Sequence, residues 1–256
     1  MWNNHYPLAR GLLSRCFLLL CGCLGLAWCW AALPSFWLTL PARNLTARII
    51  ADERFKPGQL EGSSLQMQAV RPLPILQPEF AQARALVKLR TAEEAIRRKN
   101  PEDADRDVAE SEKDVRLSLS VSPSDSFLWM MLYGVETMRK GFDRNSINML
   151  EQSYTAAPLE GWIAVRRNRV SLAVFPFLSE AMQKLVLSEF AGMVSSDFIE
   201  DAAFNLINVG WPHRDRLLAG LEQVDLVERK ALAKRLAREA LNVTVPGAEI
   251  EERPWR

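Results

Sequence analysis

The chain has 256 residues, 48% of them hydrophobic, and its 32 lysines and arginines nearly cancel its 31 aspartates and glutamates, for a formal net charge of +1. That balance argues against a nucleic-acid binder, which neutralises phosphates with a basic face. Two histidines, His5 and His213, stand far apart in the chain and argue against a multi-histidine metal centre or a histidine-dependent triad.

From Cys16 through Ala42 no charged residue occurs, and up to Leu33 the run is dominated by Leu, Cys, Trp, Ala and Gly. A bilayer core takes about 20 helical residues at about 1.5 Å each, so residues 16–33 predict a transmembrane helix within a first segment, 1–42. Trp28, Trp30 and Trp37 lie toward its far end, where aromatic rings favour the interface. Arg10 and Arg15 precede it, which predicts a cytoplasmic N-terminus, a single pass through the inner (plasma) membrane and an exported C-terminal domain. A cleavable signal would need a shorter core and a better small-residue site than Ala31-Ala32-Leu33. A lipid-bearing Cys23 would not be followed by more apolar turns. All four cysteines, Cys16, Cys21, Cys23 and Cys29, fall inside this run, so the rest of the chain is predicted to fold without a disulfide or a thiolate metal site.

Residues 43–78 read as a stem and linker. Leu45 to Phe55 has mixed periodicity and reads as either a short interfacial helix or an extended stem, Lys56-Pro57-Gly58 ends it, and Gly62-Ser63-Ser64 with Pro72, Pro74 and Pro78 suggests a spacer. A helical domain is predicted over 79–242. Phe80, Ala83, Val87 and Ile96 share a helical face, and Asn100-Pro101 breaks that helix and starts the next, with Glu102, Asp103 and Asp105 at its positive end. After a central pair of helices, Glu160 to Ala173 predicts another, closed by Phe175-Pro176. Ser179 is expected to cap a helix through Val194 and Asp197 one through Val209. Trp211-Pro212 is a break before helices over Arg214 to Glu222 and Leu226 to Leu241, the last with Leu232, Leu236 and Ala240 facing the core. Residues 243–256, with Pro246, Gly247 and Pro254, read as an irregular tail. No run alternates as a strand would, so the expected class is all-α.

The central stretch carries a period. Tyr133 and Gly134 fall on a first helix and Ser146, Leu150 and Ser153 on a second that ends at Pro158. Before Pro123, Ser111, Val115 and Ser118 repeat the spacing of that second helix. Small residues where two antiparallel helices meet, and larger ones in the seam, fit a helix-turn-helix unit. Residues 80 to 175 thereby resemble the tetratricopeptide repeat family, with Met130 and Thr137 standing where that family has its usual tryptophan and tyrosine. The resemblance implies an α-solenoid domain that binds proteins on its concave side. The overall plan, with Ser126 to Arg169, also resembles small bacterial inner-membrane proteins that accompany surface-polysaccharide synthesis, and this likeness alone implies an envelope-polysaccharide role.

Catalytic signals are absent from the sequence. It has no glycine-rich phosphate loop, dinucleotide fingerprint or nucleophile elbow, and Asp103, Asp105 and Asp107 are followed by Val108 where a calcium loop needs glycine. No cofactor or metal is expected. On the predicted helix, Trp162, Arg166 and Arg169 are spaced by four and three and form one stripe, able to take a carboxylate, a phosphate or an anionic sugar. In the repeat register, Leu128, Met131, Val135 and Met138 line the same inner face. The expected function is a scaffold or adaptor for membrane or envelope proteins. The alternatives are direct binding of an anionic glycan at the Trp162 stripe, with Trp162 as a core residue the plainer reading, and a polysaccharide-processing enzyme.

Overall fold

The computed structural model describes residues 6–51, 53–56, 58–69, 77–96, 101–158, 160–241 and 243–248. Among them the secondary structure is helical, and one isolated bridge, Val245 to Ala248, is the sole β feature. The chain divides into two units, Met1–Ser122 and Pro123–Arg256, with the boundary inside the stretch the sequence reads as one domain. Val121 ends a helix here because Pro123 restricts Ser122 to extended backbone and cannot donate to a continuing helix.

In the first unit, α1 (Tyr6–Ile50), α2 (Gln59–Ala69), α3 (Pro78–Ile96) and α4 (Pro101–Val121) follow one another. Ser14–Leu33 of α1 is 20 residues long with a mean hydropathy of 2.1 and is 6% buried, so among the described residues one helix, near the N-terminus, is long and apolar enough to cross a membrane. Trp28 and Trp30 are exposed, and the four cysteines are exposed free thiols. Two features of the stem and linker stretch go beyond its local sequence signals. The α1 backbone runs on through Pro34 and Pro41 to Ile50, and Gly62, Ser63 and Ser64 lie inside α2 rather than in a spacer. Packing outweighs local preference here, since Ala42, Phe80, Ala83 and Met67 form a small cluster joining α1, α2 and α3, and Leu60 is buried. Pro57, Pro72, Pro74, Asn100 and Pro254 lie outside the described residues. In α3, Phe80, Ala83 and Val87 are buried but Ile96 is exposed. Helices α3 and α4 run antiparallel, tied by Arg84 and Lys88 to Asp114 at 3.0 and 2.9 Å.

The second unit holds α5 (Ser126–Lys140), α6 (Ile147–Ala156), α7 (Gly161–Ala173), α8 (Glu180–Ser195), α9 (Ile199–Asn205), α10 (Arg214–Ala219) and α11 (Leu226–Arg238). Helix α5 packs against α6 and α7 against α8. Asp125 caps α5 by accepting from the Leu128 N–H at 3.0 Å, and Ser179 caps α8 through the Met182 N–H, as its position predicts. Asp197 does not cap α9. It takes a left-handed φ of 64° just beyond α8, where its N–H donates to Val194 O and that of Phe198 to Met193 O, the two bonds of a Schellman ending. Ala240 repeats this beyond α11 with φ 55°, so it is exposed rather than part of the Leu232 and Leu236 stripe. A π turn, Leu206–Gly210, and a 3-10 turn, Trp211–His213, join α9 to α10 where the sequence suggests a break. Residues 243–248 are not irregular throughout. Val245 is buried, and Arg229 Nη1 donates to Pro246 O at 2.6 Å.

Candidate functional site

Helix α7 decides the chemistry of the second unit, because its sequence places arginines on opposite sides. Ile163, Ala164, Arg167, Asn168, Ser171 and Leu172 are buried, while Trp162 and Arg169 face outward and Arg166 is half-buried. At about 100° per residue, Arg167 is turned away from the Arg166 and Arg169 side by its place in the helix alone.

Arg167 has no exposed surface. Its Nε and Nη2 donate to Glu189 Oε1 at 2.9 and 2.6 Å, and its Nη1 donates to Ser153 O at 2.7 Å and to Ser126 Oγ at 3.0 Å. The Ser126 and Ser153 hydroxyls each donate to the other's carbonyl at 2.8 Å, and Tyr154 Oη donates to Glu189 Oε2 at 2.5 Å. The guanidinium also lies over the Tyr154 ring, 4.0 Å from its centroid. One side chain on α7 therefore holds the first turn of α5, the last turn of α6 and the middle of α8. The Ser153 carbonyl sits at the negative end of α6, where a cation is favoured. Asn168 extends the clasp by donating to Val186 O at 2.9 Å, and Asn205 donates to Val165 O at 3.1 Å.

Burial pushes the Glu189 carboxyl above its ordinary value, and the Arg167 charge and the Tyr154 hydroxyl pull it back. Burial raises Tyr154 well above the usual phenol value, and the Glu189 charge adds to it. His213 stacks on Phe175 with centroids 4.5 Å apart, and burial, then the Arg216 charge, holds its pKa down. Among the described residues no cluster of three or more His, Cys, Asp or Glu is placed to hold a metal ion.

Of the residues singled out from the sequence, three stay together. Trp162 is 39% exposed and rests on Phe127, with ring centroids 5.1 Å apart. Arg169 lies on the same side of α7, its guanidinium 5.8 Å from the centroid of Phe204, which is 49% exposed. Arg166 lies between Trp162 and Arg169 along the helix. The α5 set is split. Leu128 and Val135 are buried, Met131 is half-buried and Met138 is 50% exposed, so Leu128 and Val135 are removed from an open partner face. Helix α5 is amphipathic, but the stripe of Leu128, Met131, Val135 and Met138 straddles the edge of its buried side, so one spacing takes in both buried and open positions. Phe204 escapes a sequence reading because it comes from a different helix, and Arg167 because its partners are spread from Ser126 to Glu189. No protein-family model, curated protein or solved structure matches the chain.

Proposed function

We propose that the protein is a membrane-anchored docking platform, its exported domain built from tetratricopeptide-like helical pairs that capture a protein segment bearing a carboxylate beside apolar side chains. The observation that carries this reading is the strip of Trp162, Arg166, Arg169 and Phe204, in which two flat, exposed rings flank two cations on one side of α7. Rings of this kind bury area at little entropic cost, and guanidinium groups bind a carboxylate with two parallel hydrogen bonds. The repeat register is supported by burial. Ser111, Val115 and Ser118 of α4 and Ser146, Leu150 and Ser153 at the matching positions before Pro158 are all buried, as seam residues of paired helices are. The N-terminal helix supplies the anchor, with the N-terminus in the cytoplasm. An association with surface-polysaccharide synthesis rests on the resemblance of the overall plan.

A photo-crosslinking amino acid at position 204, in the full chain in its own cells, tests the reading. The expected product is a discrete protein adduct that is lost when Arg169→Glu is added. An adduct to an acidic glycan instead would replace the protein partner with a sugar, a role the same rings and guanidinium groups also suit. An adduct unchanged by Arg169→Glu would sink the strip as the docking site.

A further inference from the structure

On another side of α7, where Gly161 and Ala164 rather than the arginine strip meet it, lies a cavity of about 240 Å³ walled by α6, α7, α8 and Phe198. We propose that this cavity is a binding site for a small uncharged aromatic molecule of one or two rings. The wall is made of the kinds of group that hold such rings. The Tyr154 and Phe198 rings, Met193, Leu185 and Pro158 face it, and edge-to-face rings and a thioether sulfur both contact aromatic ligands favourably. An apolar protein cavity of roughly 150 Å³ accepts benzene, so this one has room for a fused pair of rings.

Charge limits the ligand further. Among the described lining residues Glu189 is the charged one, and its oxygens already accept from Arg167 Nε, Arg167 Nη2 and Tyr154 Oη. With that carboxylate already paired to Arg167, a ligand of either charge would lose hydration and find no unpaired counter-charge among the described lining residues, so a neutral molecule is the species left. The exposed Ser188 and Ser196 stand among the lining residues and offer hydroxyls to a polar substituent on the ring.

Two glycines lie on the cavity lining. A Cβ on Gly161 would come within 2.9 Å of the Phe198 ring, so glycine lets that ring close the wall. Gly192 lies inside α8, where glycine weakens a helix relative to alanine, yet a Cβ there would meet no heavy atom within 4 Å. Gly192 is exposed and lies on the cavity lining, so a large side chain there would stand at the edge of the cavity.

The test uses the full chain in lipid nanodiscs with methionine methyl groups labelled for NMR, and indole as the probe. The Met193 methyl, assigned as the resonance lost in Met193→Leu, should move upfield and saturate as indole is added, while that of the exposed Met138 stays in place. Gly192→Leu should abolish the movement. An unmoved Met193 methyl would overturn the site, as would equal movement at Met193 and Met138, which marks partition into lipid alone. An undiminished response in a folded Gly192→Leu protein would place indole elsewhere. The positively charged tryptamine, at the same concentration, should leave Met193 unmoved, and a response equal to that of indole would overturn the uncharged class.

Discussion

A guanidinium with no exposed surface is the most demanding residue in the second unit, and its surroundings show how the demand is met. Arg167 is stable inside because a carboxylate, a helix-end carbonyl and a hydroxyl all accept from it. Arg167→Met leaves the Glu189 carboxylate buried without its cation and should cost about 3–5 kcal/mol in chemical denaturation, whereas Arg167→Met with Glu189→Leu should recover most of that loss. Tyr154 gives a pH signature. Its pKa is raised in the fold, so above about pH 10 the unfolded chain loses the phenol proton while the folded chain keeps it, and stability falls as pH rises. Tyr154→Phe should remove up to about 1.4 kcal/mol per pH unit of that fall, as read from urea unfolding between pH 9 and 11. At neutral pH the same change should cost about 1.5–3 kcal/mol, because a hydrogen bond to a carboxylate is lost. None of this clasp was legible in the sequence, where Arg167 is one of four basic-rich neighbours, Arg166, Arg167, Asn168 and Arg169. What separates it from Arg166 is the set of acceptors brought to it by three other helices. Trp162, Arg166 and Arg169 were legible as a strip because the spacing of one helix suffices to align them.

At the scale of elements, the boundaries that proline writes were legible and those that packing writes were not. Pro101, Pro123 and Pro158 act through their own ring and missing N–H, and helices begin or end at or just before each of them. Pro34 and Pro41 interrupt nothing, since α1 is held beyond them by Ala42 against Phe80 and Ala83. Gly62-Ser63-Ser64 has the composition of a linker, but Leu60 is buried and Met67 packs, half-buried, against Phe80 and its neighbours, and both carry those residues into α2. The two Schellman endings were also hidden, because Asp197 and Ala240 stand where glycine is the usual sign. Ala240→Gly should therefore stabilise the protein by about 1 kcal/mol, by relieving a left-handed backbone at an exposed site with no contact to lose. Ser179→Ala should do the reverse at the start of α8, costing about 1 kcal/mol with the loss of its bond to the Met182 N–H. Thermal unfolding of the two variants beside the parent chain checks both signs.

At the scale of the whole molecule, an apolar N-terminal helix carries all four cysteines, and the rest of the chain has none. With no disulfide to open, unfolding of the full chain in nanodiscs should be the same with and without reductant, and a shift of the transition would reveal a bond between thiols of separate copies. On the proposed reading of the N-terminal helix as an anchor, the protein should stay in the membrane pellet through alkaline carbonate extraction, and a reporter after Arg256 should score as exported. The all-helical class and a membrane-length apolar N-terminal helix were legible because length, hydropathy and helical period are properties of single segments. The division at Pro123 was not, since it depends on which helices pack together. The most direct measurement of the docking account is the affinity of the full chain in nanodiscs for the segment found at the position 204 crosslink, with and without Arg169→Glu. The account predicts at least a tenfold loss, about 1.4 kcal/mol, with an unchanged melting transition and a partial weakening of the parent affinity in high salt. Equal affinity of the two proteins for that segment would contradict it.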